Sequence, residues 1–126
     1  MKKILFVEDE PGLQVTLGAA LKDAGYTVVI AGNGEDGLRM AGEEKPDLIL
    51  LDLILPKKSG FDVLTALKTE GASTTHIPVI VLTNLEGVVD IDRAISLGAT
   101  TYLVKANYEL ADVIAKVRQT IGEAGT

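Results

Sequence analysis

Leu48-Ile49-Leu50-Leu51-Asp52-Leu53-Ile54-Leu55-Pro56 sets one carboxylate among seven aliphatic side chains. A short aliphatic run opened by Asp47 and closed near a proline reads as a strand buried on both faces, the form found in parallel sheets. An unpaired carboxylate at such a place costs several kcal/mol or is forced to neutralise. Asp52 therefore needs a compensating partner. The competing reading from position alone is an Asp that opens a loop or caps the next segment.

Three more apolar runs end in the same way: Ile4–Val7 before Glu8-Asp9, Val79–Leu82 before Thr83, and Tyr102–Val104 before Lys105. If all four are parallel strands, the polar residues behind them share one sheet edge, and ligands of open α/β sheets bind outside the carboxyl ends of strands. Glu8, Asp9 and Asp52 would repel one another there without a cation. Hard oxygen donors suit Mg²⁺, which takes one or two carboxylates and keeps several waters. Lys105 can supply a point charge and Thr83 a hydrogen bond to a phosphoryl group carried on a carboxylate, since phosphoryl transfer depends mainly on positioning and charge stabilisation. Glu10, followed by Pro11, is better read as an acid at a helix start.

Stretches of helical period separate the runs, which predicts five βα units around a parallel sheet. Leu13, Leu17, Ala20, Leu21 and Ala24 form a first helical stripe ended by Gly25. Thr27–Ala31 reads as the second strand, and Glu35–Glu44 as a helix weakened by Gly37 and Gly42, each costing about 1 kcal/mol relative to Ala. Ser59 caps a helix with Phe61, Leu64 and Leu67 inward, and Gly71 ends it. Val88, Ile91 and Ile95 make a fourth stripe before Gly98, and Asn107 is read as the cap of a last helix carrying Leu110, Val113, Ile114, Val117 and Ile121 on one face. The tail from Gly122 to Thr126 reads as frayed.

At 126 residues and 47% hydrophobic content the chain fits a single domain, residues 1–126, with no output domain. It has no cysteine, so disulfides and thiolate metal sites are excluded and a reducing cytoplasm is compatible with the composition. The apolar run after Met1-Lys2-Lys3 stops at Glu8, too short for a signal peptide or a membrane span, so a cytoplasmic protein without membrane contact is expected. The net charge of −6 disfavours direct binding to nucleic acid.

The acidic pair Glu8-Asp9, the stretch Asp52-Leu53-Ile54-Leu55-Pro56 with Gly60 behind it, Thr83 after an apolar strand, and Lys105 preceded by Tyr102 resemble a response-regulator receiver domain of two-component signalling, of the chemotaxis-regulator kind, over nearly the whole chain. The resemblance implies a flavodoxin-like (βα)5 three-layer sandwich with a five-stranded parallel sheet of order 2-1-3-4-5; a receiver protein is itself a standard example of that order. It also implies that Asp52 accepts a phosphoryl group from a sensor histidine kinase or phosphotransfer protein in a Mg²⁺-dependent reaction, and thereby alters binding to a downstream protein. Carried over by position, Asp9, Asp52 and the backbone carbonyl of Ile54 would ligate Mg²⁺, with Glu8 acting largely through water. Thr83 and Lys105 would bind the phosphoryl oxygens. Tyr102 matches an aromatic that changes rotamer as the threonine moves, although a half-buried strand aromatic is an equal reading. The module would assist its own phosphorylation and dephosphorylation without being an enzyme, as a monomer or weak homodimer through its fourth helix, fifth strand and fifth helix.

Two departures stand out. Ala106 replaces the usual proline after the lysine, where a cis bond would cost about 2.5 to 4 kcal/mol, so a trans peptide is expected. Ile54 and Leu85, two places beyond Asp52 and Thr83, cannot orient an attacking water, so slow hydrolysis of the phosphoryl group is expected. Other functions fare worse. An aspartate phosphatase needs a second acid where Ile54 stands, and a flavodoxin-type carrier needs a phosphate loop where Glu8-Asp9-Glu10 would repel the ligand. A scaffold that is never phosphorylated fits poorly with an intact set of acids, threonine and lysine. His76, the only histidine, lies in a polar loop beside Pro78 and reads as an ordinary loop residue.

Overall fold

In the computed structural model, which describes residues 1–123, strand and helix alternate five times. The order is β1 (Lys3–Val7), α1 (Pro11–Asp23), β2 (Thr27–Ala31), α2 (Gly34–Glu44), β3 (Leu48–Leu51), α3 (Gly60–Leu67), β4 (Val79–Thr83), α4 (Val88–Ser96), β5 (Thr101–Val104) and α5 (Leu110–Ile121), with a 3-10 turn at Lys105–Asn107. All strand pairs are parallel and the sheet order is 2-1-3-4-5. The flavodoxin-like α/β fold expected above is the fold observed.

Period-two alternation sends successive strand residues to opposite faces, and both faces are covered. Leu5, Val7, Ile49, Leu51, Val79 and Val81 pack on Phe61, Leu64, Leu67 and Ala94 from α3 and α4. Ile4, Phe6, Leu48, Leu50, Ile80 and Leu82 pack on Leu17 and Leu21 of α1 and Val113 and Val117 of α5. Register then fixes the carboxyl edge. Val7 lies opposite Leu51, Leu51 opposite Val81, and Thr83 opposite Val104, so Glu8, Asp52, Thr83 and Lys105 emerge together.

Local signals set most helix ends. Pro11 occupies the first turn of α1, Ser59 accepts the Asp62 amide at 3.2 Å to cap α3, and Gly25 and Gly98 take left-handed φ of 100° and 111° after α1 and α4. Four expectations need correction. In α4 the buried residue is Ala94, flanked by half-buried Ile91 and Leu97, whereas Val88 and Ile95 face solvent. Asn107 sits in the 3-10 turn, and α5 is capped by Glu109 in a reciprocal box with Asp112. α3 ends at Leu67, so Gly71, with φ of 87°, turns the following loop. Of the tail read as frayed, residues 124–126 lie outside the described residues, but the Gly122 carbonyl accepts the Tyr26 hydroxyl at 2.7 Å and the Ile121 carbonyl accepts the Lys2 ammonium. No helix among the described residues is long and apolar enough to cross a membrane.

Candidate functional site

β1 and β3 are central strands with apolar neighbours on both sides, so the residues that end them start inside the protein. Glu8 is 1% exposed and Asp52 5%, while Asp9, the next residue along, is exposed. One carboxylate oxygen from each of Glu8, Asp9 and Asp52 lies within 4.8 Å of the others. The sequence brought these three acids to one edge but did not reveal that Glu8 is the most enclosed of them.

Lys105, delivered by β5, points its ammonium between the two buried acids, 3.0 Å from Asp52 Oδ2 and 2.7 Å from Glu8 Oε1. The contact with Asp52 is a hydrogen bond; that with Glu8 is an ion pair off the hydrogen-bonding direction, which leaves Glu8 Oε1 buried without a hydrogen-bond partner. The other Glu8 oxygen accepts the Glu10 amide at 3.2 Å, and Gln14 Nε2 donates to the Glu8 carbonyl at 2.6 Å. The Ile54 amide donates to Asp52 Oδ1 at 3.2 Å, an Asx-type bond that fixes the carboxylate plane.

Burial pushes the Glu8 carboxyl up; the Lys105 ammonium draws it back and the negative Asp52 adds to the rise. For Lys105 burial acts downward, but the two carboxylates outweigh it and its ammonium is held above the ordinary lysine value. Thr83 completes the cluster. Its hydroxyl is fully buried and has no hydrogen-bond partner, an arrangement that costs about 1–3 kcal/mol and so indicates a group waiting for an acceptor.

Tyr102 is half-buried and donates its hydroxyl to the Leu85 carbonyl at 2.8 Å, tying β5 to the segment after Thr83. Burial raises its phenol, with the negative Asp90 and Asp52 adding to the effect. Beside Lys105 opens a cleft of about 300 Å³, floored by Leu13, Leu17, Leu82 and Val113 and rimmed by Asn84 and Lys105. The Lys105–Ala106 peptide is trans, as expected.

One ammonium cannot neutralise three carboxylates, and the donor set is hard oxygen. Three carboxylate oxygens within 4.8 Å of one another, with a single ammonium beside them, fit a divalent cation such as Mg²⁺. Asp9 and Asp52, with the Ile54 carbonyl at the neighbouring loop, are the residues that would hold it.

The profile of the response regulator receiver domain family matches residues 4–118. The chain is 37% identical, over 94% of its own length and 48% of the other's, to the DNA-binding dual master transcriptional regulator RpaA of Synechocystis. It spans about half the length of the curated relatives it matches. Among solved structures, it resembles the BeF3-activated N-terminal receiver domain of Klebsiella pneumoniae RstA, with TM-score 0.85, 30% identity, and coverage of 95% of this chain and 98% of that one. A second match is the receiver domain of the Pseudomonas aeruginosa sensor histidine kinase PA1611, described with a magnesium ion coordinated in its active-site cleft; TM-score is 0.85, identity 28%, and coverage 97% and 98%. The charge-based expectation of no nucleic-acid contact gains no support, since one relative is described as DNA-binding.

Proposed function

The chain belongs to the response regulator receiver domain family, and on that premise we propose that Asp52 is its phosphoacceptor. The observation that carries the reading is the convergence on Asp52 of the Lys105 ammonium at 3.0 Å, the unpartnered Thr83 hydroxyl and the acids Glu8 and Asp9. An Oδ of Asp52 bonds to phosphorus while the P–N bond of a donor phosphohistidine breaks, and the released imidazole nitrogen keeps the electron pair and takes up a proton. Lys105 turns from the carboxylate to a phosphoryl oxygen, and Thr83 donates to another. Bound Mg²⁺ would supply charge neutralisation at the transferring oxygens.

Phosphorylation then acts as a population shift between two arrangements of Thr83 and the segment that Tyr102 anchors at Leu85. The donor is a sensor histidine kinase or phosphotransfer protein, and the output is altered affinity for a partner protein, with monomer and weak homodimer as the states the module samples. The described residues act as one domain within 1–126, and regulated DNA binding in a longer protein is the output suggested by the half-length relatives. Ile54 is exposed and Leu85 half-buried, and neither side chain carries a group to activate water, so the phosphoryl group persists for minutes or longer.

Incubation with acetyl phosphate and Mg²⁺, read by intact mass, tests the assignment. The wild type gains one phosphoryl group and Asp52→Asn gains none; equal labelling of both proteins refutes the assignment. Decay of the adduct within seconds in Mg²⁺ would refute the slow-hydrolysis reading alone.

A further inference from the structure

We infer that Gly34 is a positioning residue for the phosphoacceptor: lacking a side chain, it lets the loop after Asp52 close against the first turn of α2, and that closure places the Ile54 carbonyl. This rests on the reading of Asp52 proposed above. A Cβ at Gly34 would stand 1.8 Å from the Lys58 carbonyl oxygen and 2.6 Å from its carbon, where real contacts are essentially never under 3.0 Å. The loop would have to retreat by about 1.2 Å, the gap between 1.8 and 3.0 Å. The close approach is bonded as well as steric. Gly34, one of the first-turn amides that a helix leaves without an internal acceptor, donates to the Pro56 carbonyl at 3.2 Å, and the Lys58 amide shares that acceptor at 2.8 Å across Lys57, whose φ is 69°.

The loop has no slack at its other end. The Gly60 amide donates to the Leu53 carbonyl at 2.9 Å, and a Cβ there would lie 2.2 Å from the Asp52 carbonyl oxygen. A displacement at Lys58 is therefore confined between two fixed points and falls on Leu53–Lys57. Ile54 lies in that span, and its amide holds Asp52 Oδ1 at 3.2 Å, so moving it shifts both a carbonyl offered to the cation and the plane of the acceptor carboxylate. Mg²⁺ tolerates such shifts poorly because it demands near-octahedral geometry.

The same helix supplies controls. A Cβ at Gly42 meets nothing within 4 Å, and one at Gly37 meets the Val7 side chain of β1 at 2.8 Å and not the loop. Well below the melting temperature of each protein, MgCl2 is titrated against wild type, Gly34→Ala and Gly42→Ala, followed by the amide NMR shifts of Asp9 and Asp52. We expect the Gly34→Ala midpoint to rise roughly tenfold, the lower end of what losing the support behind a metal ligand costs in affinity, and its labelling by acetyl phosphate to slow at low Mg²⁺ and return toward wild type at high Mg²⁺. Gly42→Ala should match wild type in both. A wild-type midpoint in Gly34→Ala, or slow labelling that added Mg²⁺ does not correct, overturns the inference. Should Gly34→Ala not fold, hydrogen exchange of the wild type decides: MgCl2 should slow the Gly34 amide more than the Gly37 amide, and equal slowing overturns it. A wild type that takes up neither Mg²⁺ nor a phosphoryl group would instead defeat the Asp52 reading, and this inference with it.

Discussion

The two edges of the sheet are built from the same five strands and treat charge in opposite ways. At the amino edge, Asp47 Oδ2 accepts the Lys3 amide at 2.8 Å, the Lys3 ammonium bonds the Glu44 carboxylate at 3.2 Å and its carbonyl at 3.3 Å, and the ion pair is about one-third exposed. Each of these groups has partners and water beside it. At the carboxyl edge, Glu8, Asp52 and Thr83 are buried around one ammonium, and two of their polar atoms lack hydrogen bonds. An edge selected for stability would not leave them so. The strand ends show where the fold holds itself together and where it holds chemistry in reserve.

Removing the lysine at each edge should break that comparison most sharply. Lys105→Met leaves Glu8 and Asp52 buried without a counter-charge, a loss of about 3 kcal/mol on the scale of buried pairs stripped of one partner. Lys3→Met removes a half-exposed pair worth at most about 1 kcal/mol. Urea unfolding at neutral pH in EDTA measures both. Equal costs would mean that the carboxyl edge is no more strained than the other.

Mg²⁺ should next relieve the crowded edge alone. At a hundredfold excess over its dissociation constant a ligand confined to the folded state adds about 2.7 kcal/mol. Thermal unfolding with and without MgCl2 should show a rise in the wild type that Asp9→Asn largely loses. Glu44→Gln, at the amino edge, should keep it.

In metal-free buffer the pH dependence follows from Glu8, whose folded-state carboxyl lies above its ordinary 4.5. The folded protein then binds the proton more tightly than the unfolded chain, so this group's stabilisation is complete below pH 4.5 and is lost as pH rises through the folded value. Glu8→Gln should therefore gain on wild type as pH increases from about 4.5 toward neutrality and be near parity below it. A constant difference would remove Glu8 as the source. Lys105 acts at the opposite end: its raised ammonium stabilises the fold below 10.5, and that contribution disappears as alkaline pH passes its folded value.

Much of this was legible in the sequence, for identifiable reasons. Strands buried on both faces must be continuously apolar, so Leu48–Leu51 and Val79–Thr83 announce themselves and the polar residue behind each marks the edge. Which of Glu8 and Asp9 turns inward was not legible, because both follow the last strand residue and the Lys105 ammonium that meets Glu8 arrives from the end of β5, with β3 and β4 between. In α4 two apolar stripes compete, Val88 and Ile95 against Ile91, Ala94 and Leu97; the smaller Ala94 is buried because the helix packs closely there, a tertiary choice that hydrophobic period cannot make. Asn107 is a good cap by type, but the 3-10 turn after Lys105 moves the helix start to Glu109 and Asp112, whose reciprocal bonds satisfy the backbone better. Gly34 was invisible as a contact, since its neighbour Lys58 is 24 residues away.

The smallest effect is also the most selective, because the two edges contain a matched pair of tyrosines. Tyr26 donates its hydroxyl to the Gly122 carbonyl at 2.7 Å at one edge, and Tyr102 donates to the Leu85 carbonyl at 2.8 Å at the other. Each Tyr→Phe change deletes one hydrogen bond and should cost about 1 kcal/mol in unfolding experiments. Their consequences for exchange should differ. Tyr102→Phe frees the segment after Thr83, so amides of Asn84 to Gly87 should exchange faster while acetyl phosphate still labels Asp52, because no reacting atom has been touched. Tyr26→Phe should loosen only the end of α5 and leave those amides alone. If both variants sped exchange after Thr83, the Leu85 contact would be a general brace of the fold, and coupling between the acceptor edge and α4 would have to run through the Thr83 backbone instead.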